Sequence, residues 1–153
     1  MNKYRTHNCS ELNEKEINKT VYLSGWLHRK RDHGNLLFVD LRDHYGITQC
    51  VIENNNKSFP ILEKSKPESV LRITGKVVQR AAGTENLDLK TGKIEVSIES
   101  VDILSNAKDL PIPVFGEQDY PEDIRLKYRF LDLRRDEMHK NIILRSKVIS
   151  FIR

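Results

Sequence analysis

The chain has 153 residues, in which 26 lysines and arginines face 22 aspartates and glutamates and 38% of all residues are apolar. The longest apolar run is the four residues from Leu36 to Val39, which is too short for a membrane-spanning helix or for the core of a secretory signal. A net charge of +4 is small for a non-specific nucleic-acid binder, so any nucleic-acid site here has to be a local cluster of basic residues.

Three strands are predicted in the first third of the chain. Residues 20 to 28 alternate apolar and polar side chains with period two, and so do residues 35 to 43 and 47 to 53. The charged residues 29 to 34 are predicted to form the loop of a hairpin between the first two strands. A turn that ends at Gly46 is predicted between the second and the third. The three strands therefore form a meander.

A short helix and two further strands are predicted next. Residues 59 to 66 fit about two helical turns before Pro67, and residues 69 to 80 and 93 to 104 return to period two. The alternation slips near Glu99, which predicts a β-bulge there. Gly25 and Gly75 lie inside strands, where a small sheet has to bend sharply.

This order of elements indicates a fold class. Five strands with a short helix between the third and the fourth is the order of a closed Greek-key barrel of the oligonucleotide-binding (OB) type. We therefore predict a mainly β domain over residues 1 to 104, although an unrelated small β-barrel or sandwich fits the pattern equally well.

The composition changes after residue 104. Residues 105 to 123 contain Pro111, Pro113 and Pro121 and few periodic apolar residues, which predicts an extended linker. Residues 124 to 153 are charged and helical in character, with an apolar face near the end of the chain and no stop signal after Ile152. A helix without a stop signal suggests the start of a larger domain, although a fraying helix or one that docks on a partner is an alternative.

The side chain most informative about function is that of Phe38. Its alternation places it on the polar face of the second strand, beside the basic residues 29 to 31, where an aromatic ring suits the stacking of an unpaired base. Gln49 on the next strand has a donor and an acceptor for a base edge. Alternatively, Phe38 covers a hydrophobic edge or packs under Trp26, Gln49 has no role, and the basic residues form a solvated hairpin tip.

No catalytic motif is present. The five histidines are not paired at metal-ligand spacing, and the phosphate-binding glycine motifs and the G-x-S-x-G motif are absent. Cys9 and Cys50 show neither a disulfide framework nor zinc spacing, which favours reduced thiols, and thus a cytoplasmic protein without a metal.

Two segments carry a family resemblance. Residues 25 to 43, GWLHRKRDHGNLLFVDLRD, resemble the anticodon-binding barrel of the aspartyl-tRNA synthetases, which are class II aminoacyl-tRNA synthetases. Residues 125 to 135, RLKYRFLDLRR, are similar to the signature that joins this barrel to the catalytic domain in the bacterial enzymes. A basic loop followed by a strand, as in the first segment, is shared with the asparaginyl and lysyl enzymes. Both together, with residues 91 to 96 between them, are specific and cover nearly the whole chain.

The resemblance implies roles for individual residues. It implies that Phe38 stacks on the central uridine of the anticodon and that Gln49 hydrogen-bonds it. Arg29 and Arg31 would contact the flanking bases and the backbone. Two further family positions near the anticodon fall on Arg80 and Glu95.

Two other positions bear on which tRNA is selected. His33 and Gly83 resemble members that charge both tRNA(Asp) and tRNA(Asn), whereas members strict for tRNA(Asp) often carry Leu and Lys there. The anticodons GUC and GUU differ only at the third base, so the substitutions could relax recognition of that base.

The resemblance also implies what lies outside the chain. The catalytic domain would follow residue 153, so this chain is expected to recognise tRNA without aminoacylating it and to need no cofactor. The parent enzyme would use ATP and Mg²⁺ to form aspartyl-adenylate, transfer aspartate to tRNA, and dimerise through the catalytic domain. The alternative hypothesis is a generic single-stranded nucleic-acid-binding or protein-interaction OB-fold.

Overall fold

The computed structural model describes residues 3 to 116 and 119 to 153. The chain divides into two compact units, Met1–Lys108 and Asp109–Arg153, and each has its own buried apolar cluster.

The first unit is a five-stranded barrel, which confirms the predicted OB-fold. The strands close in the order β1-β2-β3-β5-β4, with β3 and β5 parallel and the other neighbours antiparallel. A single 3-10 turn, Glu14–Glu16, precedes the first strand. The elements are β1 (Thr20–Asp32), β2 (Leu36–Arg42), β3 (Ile47–Glu53), α1 (Phe59–Lys64), β4 (Val70–Gln79) and β5 (Ile94–Ser105).

The interior of the barrel is filled by the apolar side chains of the period-two pattern. Alternate residues of each strand are buried, because successive side chains of a strand point to opposite faces. The inward side chains include those of Val21, Leu23, Leu27, Leu37, Val39, Leu41, Cys50, Ile52, Leu71, Ile73, Val77, Ile94 and Val96.

Two strand glycines lie where neighbouring strands approach too closely for a side chain. A Cβ atom at Gly25 would lie 2.3 Å from the carbonyl oxygen of Arg42, and one at Gly75 would lie 2.3 Å from that of Ser97. These contacts explain why glycine is needed at the two bends predicted from the sequence.

Register irregularities at His28, Glu99 and Leu104 shape the barrel, and the first two bear on the predictions from the sequence. In β5, Glu99 is skipped between the pairs Gly75 with Ile98 and Thr74 with Ser100, so the bulge predicted near Glu99 is confirmed. In β1, His28 is skipped in the same way between Leu27 and Arg29.

The β1 bulge corrects one prediction. Residues 29 to 31 were expected in a loop, but β1 continues through them to Asp32. Because the extra residue at His28 shifts the alternation by one, Arg29 and Arg31 face outward and Lys30 faces the side of the buried Val39.

The second unit contains three helices, α2 (Glu122–Lys127), α3 (Arg129–Asp132) and α4 (Asp136–Ile152). Ile112, Val114 and Leu131 form its buried cluster, and α4 itself buries no residue. No helix in residues 3 to 116 and 119 to 153 is long and apolar enough to cross a membrane.

Candidate nucleic-acid interface

The candidate interface is the outer face of β2, β3 and the last part of β1 from Arg29 onward, together with the adjoining ends of β4 and β5. Phe38 lies on β2 at half burial, directly across from Arg31 on β1. The ring of His33, in the turn between the two strands, meets that of Phe38 at right angles, with 5.3 Å between the ring centroids and 88° between the planes. An aromatic ring and a guanidinium are therefore side by side on an accessible sheet face.

A row of polar side chains crosses this face from strand to strand. Arg29 on β1 lies opposite Asp40 on β2 in the strand register, and Asp40 lies opposite Gln49 on β3. The parallel pairing of β3 with β5 brings Glu95 beside Gln49. The register of the barrel thus collects residues that are up to 66 positions apart in the sequence, from Arg29 to Glu95.

Hydrogen bonds connect the members of this row. Arg31 Nη2 donates to both carboxylate oxygens of Asp40, at 3.0 and 3.2 Å, and to Gln49 Oε1 at 3.3 Å. Gln49 Nε2 donates to Glu95 Oε2 at 2.9 Å. The guanidinium of Arg31 therefore lies at the oxygen of the Gln49 amide, and the carboxylate of Glu95 lies at its nitrogen. These two contacts fix the orientation of the amide.

Arg80 lies at the end of β4 beneath this row and is only 5% exposed. Its Nε donates to the carbonyl oxygen of Ile94 at 3.1 Å, and its Nη1 donates to that of Thr84 at 3.3 Å. Its Nη2 is buried and has no acceptor among the residues that the structure describes. Burial lowers the pKa of Arg80, and the carboxylates of Glu95 and Asp40 oppose that shift.

Asp40 is the residue of this site that the sequence did not single out. Its position on the polar face suggested an exposed carboxylate, but the side chains around it leave it 9% exposed. Burial raises the pKa of Asp40, and the guanidinium groups of Arg31, Arg29 and Arg80 act in the opposite direction. The only available signal was its register position opposite Arg29, and this depends on the bulge at His28.

Lys30 is separated from the two arginines of the basic triplet. Its Nζ donates to the backbone carbonyl oxygens of Ser65 at 2.8 Å, Leu62 at 3.3 Å and Glu63, all at the C-terminal end of α1. Burial lowers its pKa, and the carboxylate of Glu63 opposes this. Lys30 therefore caps a helix, as basic side chains near a helix C-terminus do.

The two positions that bear on tRNA choice lie in different loops. His33 is exposed in the β1–β2 turn and contacts Phe38, as described above. Gly83 is exposed in the β4–β5 loop with φ at +82°, a conformation that favours glycine. Arg80 connects that loop to the site through its hydrogen bond to Thr84.

A second charged cluster borders the interface on the same sheet face. Arg42 donates to Glu68 Oε1 at 2.7 Å, approaches His28 Nδ1 at 2.9 Å and lies 5.7 Å from the centre of the Trp26 ring. Glu68 is buried and has φ at +67°, an uncommon conformation for a residue with a side chain. These contacts surround the extra residue of the β1 bulge and stabilise the conformation that turns Arg29 and Arg31 outward.

The chemistry offered by this face is recognition. It contains an aromatic ring, a fixed amide, guanidinium groups and carboxylates, which are the groups that proteins use to stack on and hydrogen-bond unpaired bases. In residues 3 to 116 and 119 to 153 no three His, Cys, Asp or Glu side chains are grouped so as to hold a metal ion.

Comparison with known proteins identifies the family of the barrel. Residues 21 to 104 match the tRNA anticodon family model, which describes an OB-fold nucleic acid binding domain. The chain is 63% identical over 153 residues to an aspartate--tRNA(Asp/Asn) ligase of Pelagibacter ubique, covering 100% of this chain and 26% of that protein. A relative of the same name from Beijerinckia indica is 57% identical over the same lengths. The chain thus spans about a quarter of the length of the curated relatives that it matches.

Solved structures support the fold. The asparaginyl-tRNA synthetase of Pyrococcus horikoshii superposes with a TM-score of 0.71 at 29% identity, over 84% of this chain and 29% of that one. The aspartyl-tRNA synthetase of Entamoeba histolytica superposes with a TM-score of 0.73 at 21% identity, over 85% of this chain and 32% of that one, and this likeness concerns the fold alone.

Proposed function

Because the chain belongs to the tRNA anticodon family of OB-fold nucleic acid binding domains, we propose that it binds the anticodon loop of tRNA(Asp), with sequence GUC. In this proposal residues 1 to 104 recognise the RNA, and residues 124 to 153 begin the catalytic part of an aspartate-tRNA ligase. Residues 105 to 123 connect these two parts. The relatives at 63% and 57% identity, both named aspartate--tRNA(Asp/Asn) ligase, support this assignment.

The observation that carries the proposal is the arrangement of Phe38 beside the Gln49 amide. Phe38 provides a ring on which the central uridine stacks, and Gln49 offers it a hydrogen-bond acceptor and a donor in a fixed order. Arg29 and Arg31 lie on the same face and contact the flanking bases and phosphates. Arg80 and Glu95 complete the set, Glu95 through its contact with Gln49 and Arg80 from beneath the row.

A stem-loop titration tests the proposal. The chain is titrated with three RNA hairpins that share one stem and carry GUC, GCC or a scrambled sequence in the loop. We expect the tightest binding for GUC and weaker binding for GCC, which differs only at the central base. Equal binding of all three loops would contradict anticodon recognition and favour a generic single-strand binder, and absence of RNA binding would favour a protein-interaction barrel.

We also propose that recognition of the third anticodon base is relaxed, so that GUU of tRNA(Asn) is bound as well. The printed names of the relatives, which include Asp/Asn, support this, as do His33 and Gly83 at the two variable positions. The measurement is aminoacylation of tRNA(Asn) with aspartate by the full-length protein. If tRNA(Asn) is left uncharged while tRNA(Asp) is charged, the relaxed recognition is wrong.

The activity of the whole protein follows from the same assignment. It would condense aspartate with ATP in the presence of Mg²⁺ to aspartyl-adenylate and then transfer aspartate to the terminal adenosine of tRNA. It would act as a cytoplasmic homodimer. None of these steps is assigned to residues of this chain, whose part is to select the tRNA.

A further inference from the structure

We propose that Asp40 is a positioning residue for base recognition: its carboxylate holds Arg31 so that the guanidinium orients the Gln49 amide toward the central base. This inference rests on the proposed function and extends it to a residue that does not itself contact the base.

A single nitrogen atom of Arg31 links Asp40 to Gln49. Arg31 Nη2 is shared between the two oxygens of Asp40, at 3.0 and 3.2 Å, and Gln49 Oε1, at 3.3 Å. The Arg31 side chain is 44% exposed and the Asp40 side chain only 12%. The buried carboxylate therefore anchors the long, exposed side chain of Arg31, which would otherwise sample many rotamers.

The anchored guanidinium determines which way the amide faces. With Arg31 at its oxygen and Glu95 at its nitrogen, a flipped Gln49 would set its NH₂ group against a cation and its oxygen against an anion. The remaining lone pair and N–H of the amide are then presented to RNA in one order only. Uracil has a carbonyl acceptor where cytosine has an amino donor, so a fixed order distinguishes the two bases.

Asp40 carries its charge in a mostly buried position, beside the guanidinium groups of Arg31 and Arg80. Burial raises the pKa of Asp40 in the folded protein, so the folded state favours the neutral acid more than the unfolded state does. The stability gained from protonation is fully present below the unfolded pKa and is lost as pH rises through the folded pKa. At neutral pH the ionised carboxylate is thus held at a cost, and Asp40→Asn is expected to remain folded.

The experiment measures discrimination rather than affinity alone. The ratio of the Kd for the GCC loop to that for the GUC loop is determined for the full chain, for Asp40→Asn and for Asp102→Asn. The control Asp102 lies on another part of the barrel and pairs with Arg72 at 2.7 and 3.0 Å. We expect the ratio to fall by about three- to tenfold in Asp40→Asn, the effect of one ordinary hydrogen bond, and to stay unchanged in Asp102→Asn. The denaturation midpoint of Asp40→Asn should equal or exceed that of the unchanged chain.

The outcomes separate this inference from the function on which it rests. If the unchanged chain does not distinguish GUC from GCC, the proposed function itself fails. If it does and Asp40→Asn keeps the ratio, or weakens both loops equally, the positioning role is overturned while anticodon recognition stands. Should Asp40→Asn fail to fold, Arg31→Gln tests the same connection from its exposed side, and an unchanged ratio there would also overturn the inference.

Discussion

Phe38 is the side chain on which the proposed interface depends most. Hydrogen bonds to a base can be replaced by water, but a stacking contact has no such substitute. The ring contacts His33 edge to face instead of in a parallel stack. The face of the Phe38 ring is therefore not covered by a parallel His33 ring that a stacking base would have to displace.

Removal of this ring gives the first prediction. We expect Phe38→Ala to weaken binding of the GUC stem-loop by about 1 to 3 kcal/mol, and Phe38→Tyr to keep most of the affinity, because both aromatic rings offer a face for stacking. Tyr22→Ala is the matched control, since Tyr22 is an aromatic residue of β1 that is 43% exposed and lies outside the interface. Isothermal titration gives the affinities, and an unchanged Kd in Phe38→Ala would remove the central contact from the proposal.

At the level of elements, the three basic residues 29 to 31 of β1 have two different roles. Its outward residues Arg29 and Arg31 lie on the candidate interface, and its inward residue Lys30 binds the end of α1. The bulge at His28 makes this division, since without it the two arginines would point the other way.

The different roles of Lys30 and Arg29 can be tested by measuring stability and RNA binding of their variants. Lys30→Met keeps the aliphatic stem but loses three donors to the α1 carbonyls, so we expect it to lower the free energy of unfolding by about 1 to 2 kcal/mol. Its effect on the Kd for RNA should be small. Arg29→Met should do the reverse, with little change in stability and weaker RNA binding. Urea denaturation and the stem-loop titration together check this, and equal effects of the two variants would contradict it.

The closure of the barrel depends on close approach of strands at two glycines. A methyl group at Gly75 would meet the carbonyl oxygen of Ser97 at 2.3 Å and a Val96 side-chain carbon at 2.7 Å. We therefore expect Gly75→Ala to destabilise the barrel by about 1 to 3 kcal/mol through overpacking. Ser97→Ala, on the exposed side of the same contact, should change stability little. Thermal denaturation compares the two, and an unshifted midpoint for Gly75→Ala would show that the strands separate without cost.

The two bulges show what the sequence could and could not predict. Around Glu99 apolar residues continue on both sides, so the slip in their alternation is visible, and the bulge was predicted. After His28 the residues are Arg, Lys, Arg and Asp, which are polar on both faces, so the alternation carries no signal there and the sequence predicts a loop instead of the end of β1.

Long-range contacts explain why other features of the site could not be predicted from the sequence. The five strands and their order follow from local periodicity, the outward faces of Phe38 and Gln49 follow from alternation, and the roles of Arg29 and Arg31 come from the family resemblance. The capping role of Lys30 depends on residues 32 to 35 positions away, and the burial of Asp40 depends on side chains from other strands. Such contacts arise from the register of the closed barrel and leave no local pattern.

For the whole molecule, positive and negative charges nearly balance, and the candidate face carries the carboxylates of Asp40 and Glu95 beside its arginines. Residues 1 to 104 hold 16 basic and 14 acidic residues, so no general positive field covers the barrel. The positive groups on the candidate face are Arg29 and Arg31, with Arg80 buried beneath them. Attraction of RNA must then depend on a few contacts at short range.

This balance predicts a shallow salt dependence for binding of the GUC stem-loop. Each phosphate neutralised on a single strand contributes about −0.7 to the slope of log K against log salt concentration. Neutralisation of about two to three phosphates by the arginines of this face therefore gives a slope of about −1.4 to −2.1 between about 50 mM and about 200 mM salt.

The comparison that checks this slope uses the scrambled loop as its control. Non-specific binding consists of phosphate contacts alone, so discrimination between GUC and the scrambled loop should survive at high salt, where stacking on Phe38 and the hydrogen bonds of Gln49 remain. A slope of about −4 or steeper, with both loops bound equally at every salt concentration, would instead indicate a generic single-strand binder. A shallow slope with lasting discrimination is what a nearly neutral barrel that recognises a few bases requires.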